Sequence, residues 1–161
     1  QAQTLANSME SGKYTSSLMF GVQWDLMLKY LESKGIEQTN LKSDSTTMGN
    51  YYNNFWNITN TNSKYSTDYG LKWTSGAYGK KDSNKSVLLS TGASETFSKQ
   101  GIYDIAGNVS EWTLEYTSYS DSPCALRGGY YNNRGGSSPA AYRSSSPTGF
   151  SNNFGFRVSL F

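Results

Sequence analysis

The stretch GIYDIAGNVSEWT, residues 101–113, brings together oxygen donors that could hold a hard cation. The Asp104 and Glu111 carboxylates flank two available main-chain carbonyls, those of Gly107 and Val109. Such a set suits calcium, which takes about 6–8 oxygen ligands in flexible geometry. These four groups do not complete a shell without water or further ligands. The same residues also read as a glycine-containing turn leading into a strand, with Asp104 closing an Asx turn and Glu111 solvated. Both readings stand on the sequence.

Other chemistries are narrowed by what the chain lacks. Histidine is absent from its 161 residues, which removes Ser-His-Asp and Cys-His catalysis, histidine metal sites and histidine pH switching. Cys124 is the single cysteine, so there is no disulfide framework, and it reads as a small core residue on a strand. Paired-carboxylate hydrolysis stays formally open, but no spacing singles out an acid and a base. No redox cofactor is expected.

A second constellation is suited to contact rather than reaction. From Tyr130 to Phe154 the chain has no Lys, Asp, Glu, Leu, Ile, Val or Met and consists mostly of Tyr, Ser, Asn, Gly and Phe. Tyrosine supplies wide, rigid, amphipathic contact area, and Ser, Gly and Asn supply adaptable hydrogen bonding. A core would not tolerate so many unpartnered polar groups. The plainer alternative is a loop-rich surface that only solvates the domain.

These residues need a scaffold. The chain length fits one domain, and an aromatic content of 15% offsets modest aliphatic content. The opening residues place Ala2, Leu5, Ala6 and Met9 at helical spacing, with Gly12 as a stop. A second helix is expected from a cap at Ser16 or Ser17, with Phe20, Trp24, Met27, Leu28 and Leu31 on one face and Gly35 ending it. Residues 37–86 read as short strands or ordered loops pinned by aromatics, followed by a strand at SVLLST. NVSEWTLEY, PCALRGGYY and GFRVSLF read as strands, the first burying Val109, Trp112 and Leu114. The last alternates Phe156, Val158 and Leu160 with Arg157, Ser159 and Phe161 and must pair with something. Helices followed by strands indicate an α+β fold. A net charge of +2, thinly spread, indicates neither nucleic acid nor an anionic membrane as partner, and no apolar run spans a bilayer.

GIYDIAGNVSEWT, followed by LRGGYY and YR and closed by GFRVSL, closely resembles the motif series of the formylglycine-generating enzyme (sulfatase-modifying factor) superfamily. Trp24 falls in the tryptophan place of that family's first conserved helix. The resemblance implies a C-type-lectin-like α+β fold, two helices with small twisted antiparallel sheets and long ordered loops, as a single domain over 1–161. It implies a calcium loop on Asp104, Gly107, Val109 and Glu111. Arg127, Arg143 and Arg157 would be scaffold residues, buried or partly buried, tying loop carbonyls. Relatives begin with strands before the first helix, so this chain is expected to be the C-terminal part of a longer protein and to leave the last strand with an open edge.

The oxidase members use a cysteine pair between the RGGSW and GFR elements; here that interval, Tyr130 to Gly155, holds no cysteine. The same fold serves the variable proteins of diversity-generating retroelements, whose adenine-directed mutation turns Asn codons into codons for Tyr, Ser, Gly, Phe and Asp. The C-terminal stretch is similar to their variable region. The resemblance therefore implies a non-catalytic binding domain with a variable region over about 129–155. The expected contacts are Tyr130, Tyr131, Asn132, Asn133, Ser137 and Tyr142, then Ser144, Ser145 and Ser146, and finally Phe150, Asn152, Asn153 and Phe154. The expected partner is a protein or glycan on a bacterial cell surface or phage particle. The rivals are a formylglycine-generating-type enzyme and a structural subunit of a phage tail or pilus.

Overall fold

A computed structural model of the chain describes residues 1–10 and 12–161. It opens with helix α1 (Ala2–Asn7), strand β1 (Ser16–Leu18), helix α2 (Gly21–Ser33) and a short helix α3 (Gln38–Lys42). Five short strands follow: β2 (Trp56–Ile58), β3 (Lys64–Ser66), β4 (Thr74–Ser75), β5 (Gly79–Lys81) and β6 (Leu88–Leu89). After β7 (Ser98–Lys99) and β8 (Ile102–Tyr103) come the longer β9 (Ser110–Tyr116) and β10 (Cys124–Arg127). The chain closes with β11 (Arg143–Ser146), β12 (Phe154–Phe156) and β13 (Val158–Leu160).

The fold is α+β, with one more short helix, α3, than the two expected. Its largest sheet has the order β11-β10-β9-β12, antiparallel except that β12 runs parallel to β9. The other sheets pair β2 with β5, β4 with β3 and β6, β7 with β8, and β1 with β13.

Helix α2 forms where expected, but its start differs. Ser16 and Ser17 do not cap it; they lie in β1, and Phe20 is the N-cap residue, its N–H donating to Gln23 Oε1 at 2.8 Å. Trp24, Leu28 and Leu31 are buried and Met27 half-buried, while Phe20 faces solvent because it precedes the first helical turn. In α1 only Ala6 is buried, since so short a helix meets β1 over one small face, where Ser16 Oγ donates to the Ala6 carbonyl at 2.7 Å.

Strand β1 also closes the edge expected to be open. Ser16, Ser17 and Leu18 pair antiparallel with Leu160, Ser159 and Val158. The single closing strand expected from GFRVSLF is therefore two, broken at Arg157, whose side chain turns inward.

Strand β9 inverts its expected face. Ser110, Glu111 and Thr113 are buried, whereas Val109, Trp112 and Leu114 are only half-buried. Helix α2 sits close to β9, as the contact of Gly21 with Glu115 shows, and Glu111 is neutralised there by Arg157. Glu111 can face inward because its charge is paired, and Thr113 because its Oγ1 donates to the Ala125 carbonyl at 3.3 Å.

Two apolar clusters support this frame. One joins Trp24, Leu28, Leu31, Leu41, Tyr51 and Ile105; the other joins Trp56, Ile58, Val87, Leu89 and Phe97, with Tyr78 packed edge-on to Trp56 at 5.3 Å. Buried Asn50 and Asn108 link the surrounding segments. Asn50 Nδ2 donates to the Val87 carbonyl at 2.7 Å and to Asn108 Oδ1 at 3.1 Å. Asn108 in turn exchanges both bonds with Leu89, accepting from its N–H and donating to its carbonyl at 3.0 Å each. Asn108 thus supplies a strand's hydrogen bonds from a side chain. Gly107 must be glycine, since φ is +70° and a Cβ would stand 2.4 Å from the Asn50 carbonyl oxygen.

Candidate functional site

The β11-β10-β9-β12 sheet is the floor of the site. Phe154 stands opposite Ser110, and Leu126 opposite Ser144, so register alone puts these four side chains on one face. They line a cleft of about 360 Å³ whose walls include Tyr130, Tyr142 and Asn153. Phe154 is braced edge-on by Trp112, with ring centroids 5.1 Å apart. Tyr130 is held by a turn in which its N–H donates to Asn133 Oδ1 at 3.1 Å and its carbonyl accepts from Asn133 N–H at 2.8 Å. Tyr142 follows a turn closed by its N–H on the Pro139 carbonyl at 2.8 Å.

A second cleft of about 570 Å³ adjoins the first and shares Tyr142, Ser144 and Ser145 with it. Its other wall is the β9–β10 connection, with Thr117, Ser118 and Tyr119. That connection is ordered by the Thr117 N–H, which donates to the Pro123 carbonyl at 2.9 Å. Arg143 stands at its rim with Nε 2.6 Å from Glu115 Oε1. Deeper, buried Arg127 pairs with Asp25 of α2. Arg127 and Arg157 are thus scaffold residues as expected, whereas Arg143 is exposed and lines a cleft.

Of the expected contacts, Tyr130, Asn133, Tyr142 and Ser144–Ser146 line the first cleft together with Asn153 and Phe154. Tyr131 does not belong to the surface: it is 1% exposed, the turn that follows Tyr130 carrying it inward with its ring edge-on to that of Tyr130 at 5.9 Å. Its hydroxyl has no hydrogen-bond partner among the described residues. Asn132, Ser137 and Phe150 are exposed outside both clefts, and Asn132 Oδ1 accepts from Ser86 Oγ at 2.6 Å. Asn152 packs beside Gly70, 3.6 Å from where a Cβ there would lie. Sequence reasoning missed Ser110, Leu126 and Ser138 of the first cleft and Thr117, Ser118 and Tyr119 of the second. The second group had a signal: TSYSDS, residues 117–122, shares the composition of the C-terminal stretch.

The four oxygen donors lie beside this surface, and the fold brings a cation to them from the protein itself. Arg157 Nε and Nη2 donate to the two Glu111 oxygens, and Nη2 also reaches the carbonyls of Tyr103 and Asp104 at 3.3 Å. Asp104 Oδ2 accepts from the Gly92 N–H at 3.1 Å. Burial pushes the Asp104 carboxyl up to about 6, the Gly92 N–H opposes this, and the nearby Glu111 charge adds to it. Burial likewise raises Glu111 against the pull of Arg157. With both Glu111 oxygens bound to a guanidinium, Asp104, Gly107, Val109 and Glu111 do not fit a calcium shell as folded. Val109 has a packing role, since its Cγ2 would lie 2.7 Å from a Cβ at Gly155. Glu111 is buried rather than solvated, so the plain-turn reading also needs correction. Cys124 is half-buried on β10, opposite Ser146.

Residues 31–160 match the model of the sulfatase-modifying factor enzyme 1-like domain. No curated protein matches the sequence. Among solved structures the chain is similar to Treponema denticola variable protein 1, with 20% identity and a TM-score of 0.50, over 90% of this chain and 47% of that one. The chain therefore spans about half the length of that protein. The likeness is one of fold, the C-type-lectin-like α+β arrangement. From the end of α2 to β13 the match is continuous, and the chain belongs to the sulfatase-modifying factor enzyme 1-like domain family.

Proposed function

We propose that this chain is a non-catalytic ligand-binding domain whose combining surface is the pair of clefts meeting at Tyr142. The observation that carries the reading is the lining of the first cleft. It holds Tyr, Phe, Ser, Asn and one Leu, with no acid, base or thiol among its lining residues. Rigid aromatic walls and short hydroxyl and amide groups favour contact with a protein or glycan surface, and no carboxylate, lysine or histidine among the lining residues stands ready to activate one of the hydroxyls. The charged residue of the second cleft, Arg143, is paired with Glu115. The fold likeness to a protein named as a variable protein supports the same reading.

The test is a displayed library randomised at Tyr130, Tyr142, Ser144, Ser145, Phe150 and Asn153, set beside one randomised at buried Tyr51, Tyr131 and Ala140. The surface library should stay folded and yield binders to new protein or glycan targets, while the core library should lose cooperative melting. Equal loss of folding in both libraries would sink the combining-surface reading. Conversion of a cysteine-containing sulfatase peptide with copper and oxygen would overturn the non-catalytic part.

A further inference from the structure

Strand β11 lies at the edge of the largest sheet, next to β10 and to no other strand. Its register sets Arg143 opposite Arg127, Ser144 opposite Leu126, Ser145 opposite Ala125 and Ser146 opposite Cys124. The Gly128 N–H donates to the Tyr142 carbonyl at 3.0 Å, which makes the neighbouring Gly128 and Tyr142 a hydrogen-bonded pair. Bonded and non-bonded pairs alternate along an antiparallel ladder. Ser144 and Ser146 therefore bond to β10, and the N–H and C=O groups of Arg143 and Ser145 point outward.

Among the described residues, none donates to or accepts from those outward groups, apart from a long 3.4 Å bond from Ser144 Oγ to the Ser145 carbonyl. Arg143 and Ser145 are both exposed. No bulge interrupts β11, and Pro147 stops the strand just beyond it. Such an edge is a template for another strand. Of the devices that blunt natural edges, β11 has its shortness, the Arg143 charge and Pro147 at its end. Among the described residues no bulge or covering loop protects it, and its outward groups stay open to a strand of matching length.

We propose that the β11 edge takes an extended, acidic peptide by strand addition, with the clefts receiving its side chains. The inference rests on the combining-surface reading and names its partner class. Main-chain groups two residues apart match the repeat of a peptide backbone, which a glycan does not share. Arg143 favours an acidic partner through the part of its fork that Glu115 leaves open: Glu115 stands at its Nε, and its terminal nitrogens make no hydrogen bond among the described residues. A second copy of β11 would instead bring a second Arg143 to the same edge, and like charges across a strand pair destabilise it. Both clefts are lined by β11 residues Ser144 and Ser145 and by Tyr142, so side chains of a strand added beside β11 have walls of both within reach.

The probe is a displayed library of random linear peptides selected on the unsubstituted protein, with binding then measured on Ser145→Pro, Ser145→Ala, Arg143→Gln and Tyr142→Ala. Proline removes the outward N–H while leaving the β10 ladder intact, a substitution edge strands accept. Selected peptides should be enriched in Asp and Glu, lose about tenfold or more on Arg143→Gln, and lose about tenfold or more beyond the Ser145→Ala loss on Ser145→Pro, since alanine removes only the hydroxyl and keeps the outward N–H. Should Ser145→Pro fail to fold, amide exchange on the unsubstituted protein decides: peptide should slow the Arg143 and Ser145 amides, with Ser144 and Ser146 already slow. Peptides that bind Ser145→Pro fully but fail on Tyr142→Ala would overturn strand addition and leave the combining surface standing. Peptides indifferent to every substitution would overturn both. Selection of no peptide, with glycans bound instead, would overturn the strand-addition proposal alone, as would dimerisation abolished by Ser145→Pro.

Discussion

Arg157 donates from Nε to one oxygen of Glu111 and from Nη2 to the other, and its guanidinium lies 5.3 Å from the centroid of the Trp24 ring. Glu111 is 5% exposed, so this ion pair joins β9, the β12–β13 break and α2 inside the protein. Removing one partner of such a pair strands the other charge, at a cost of about 3–5 kcal/mol. Arg157→Met should reduce unfolding free energy by that amount in urea titrations. Adding Glu111→Leu should recover part of the loss, because the stranded carboxylate is gone; a double variant less stable than the single one would contradict the pairing.

The same pair governs the response to calcium. A calcium ion would have to displace a guanidinium already bonded to both Glu111 oxygens and to two carbonyls. Calorimetric titration of chelator-treated protein should therefore give no heat of binding up to about millimolar calcium, the range of weak extracellular sites. A saturable signal abolished by Glu111→Gln would restore the calcium loop.

Asp104 carries a pH signature of definite sign. Its folded-state value of about 6 lies above its ordinary 3.8, chiefly through burial, so the folded protein holds this proton more tightly than the unfolded chain. The stability it contributes is full below about 4 and is lost as pH rises through about 6, on the order of 2–3 kcal/mol. Asp104→Asn keeps an acceptor for the Gly92 N–H and suits the left-handed backbone at φ 52°. Relative to this variant, the unsubstituted protein should lose stability between those pH values. A constant difference across the range would contradict the burial argument.

Tyr131 and Tyr142 should separate folding from binding. Tyr131→Phe removes a buried hydroxyl that has no partner, so its stability should be unchanged or about 1 kcal/mol higher. Tyr131→Ala should cost about 3–5 kcal/mol through the cavity it leaves. Tyr142→Ala, at 38% exposed, should cost under about 1 kcal/mol, and its effect should appear in binding. Thermal melts of the three variants check the contrast.

The motif series was legible because it is local. Gly107 and Asn108 both need positive φ, a demand visible as a glycine–asparagine pair. That Asn108 also satisfies both main-chain groups of Leu89 was not visible, since the partners are 19 positions apart. Helix α2 was read from its spacing, yet Ser16 and Ser17 looked like caps because nothing nearby reveals their pairing with the C-terminal strand. Tyr130 and Tyr131 are identical in type and adjacent in sequence. Only the backbone's path decides that one forms a wall and the other fills the interior.

By itself, the sequence determined the family, the α+β class and the kind of chemistry available. Composition excluded histidine and paired-thiol chemistry and filled the C-terminal stretch with contact-making residues, because these properties depend on which atoms exist and not on where they meet. Tertiary structure alone decided that Arg157 is the cation at Glu111 and that Thr117–Tyr119 supply a second wall. It also decided that β11 ends a sheet with its outward main-chain groups unpaired among the described residues. Each of these is a long-range pairing, set by register and by the burial of charge, and residue order along one segment does not encode it.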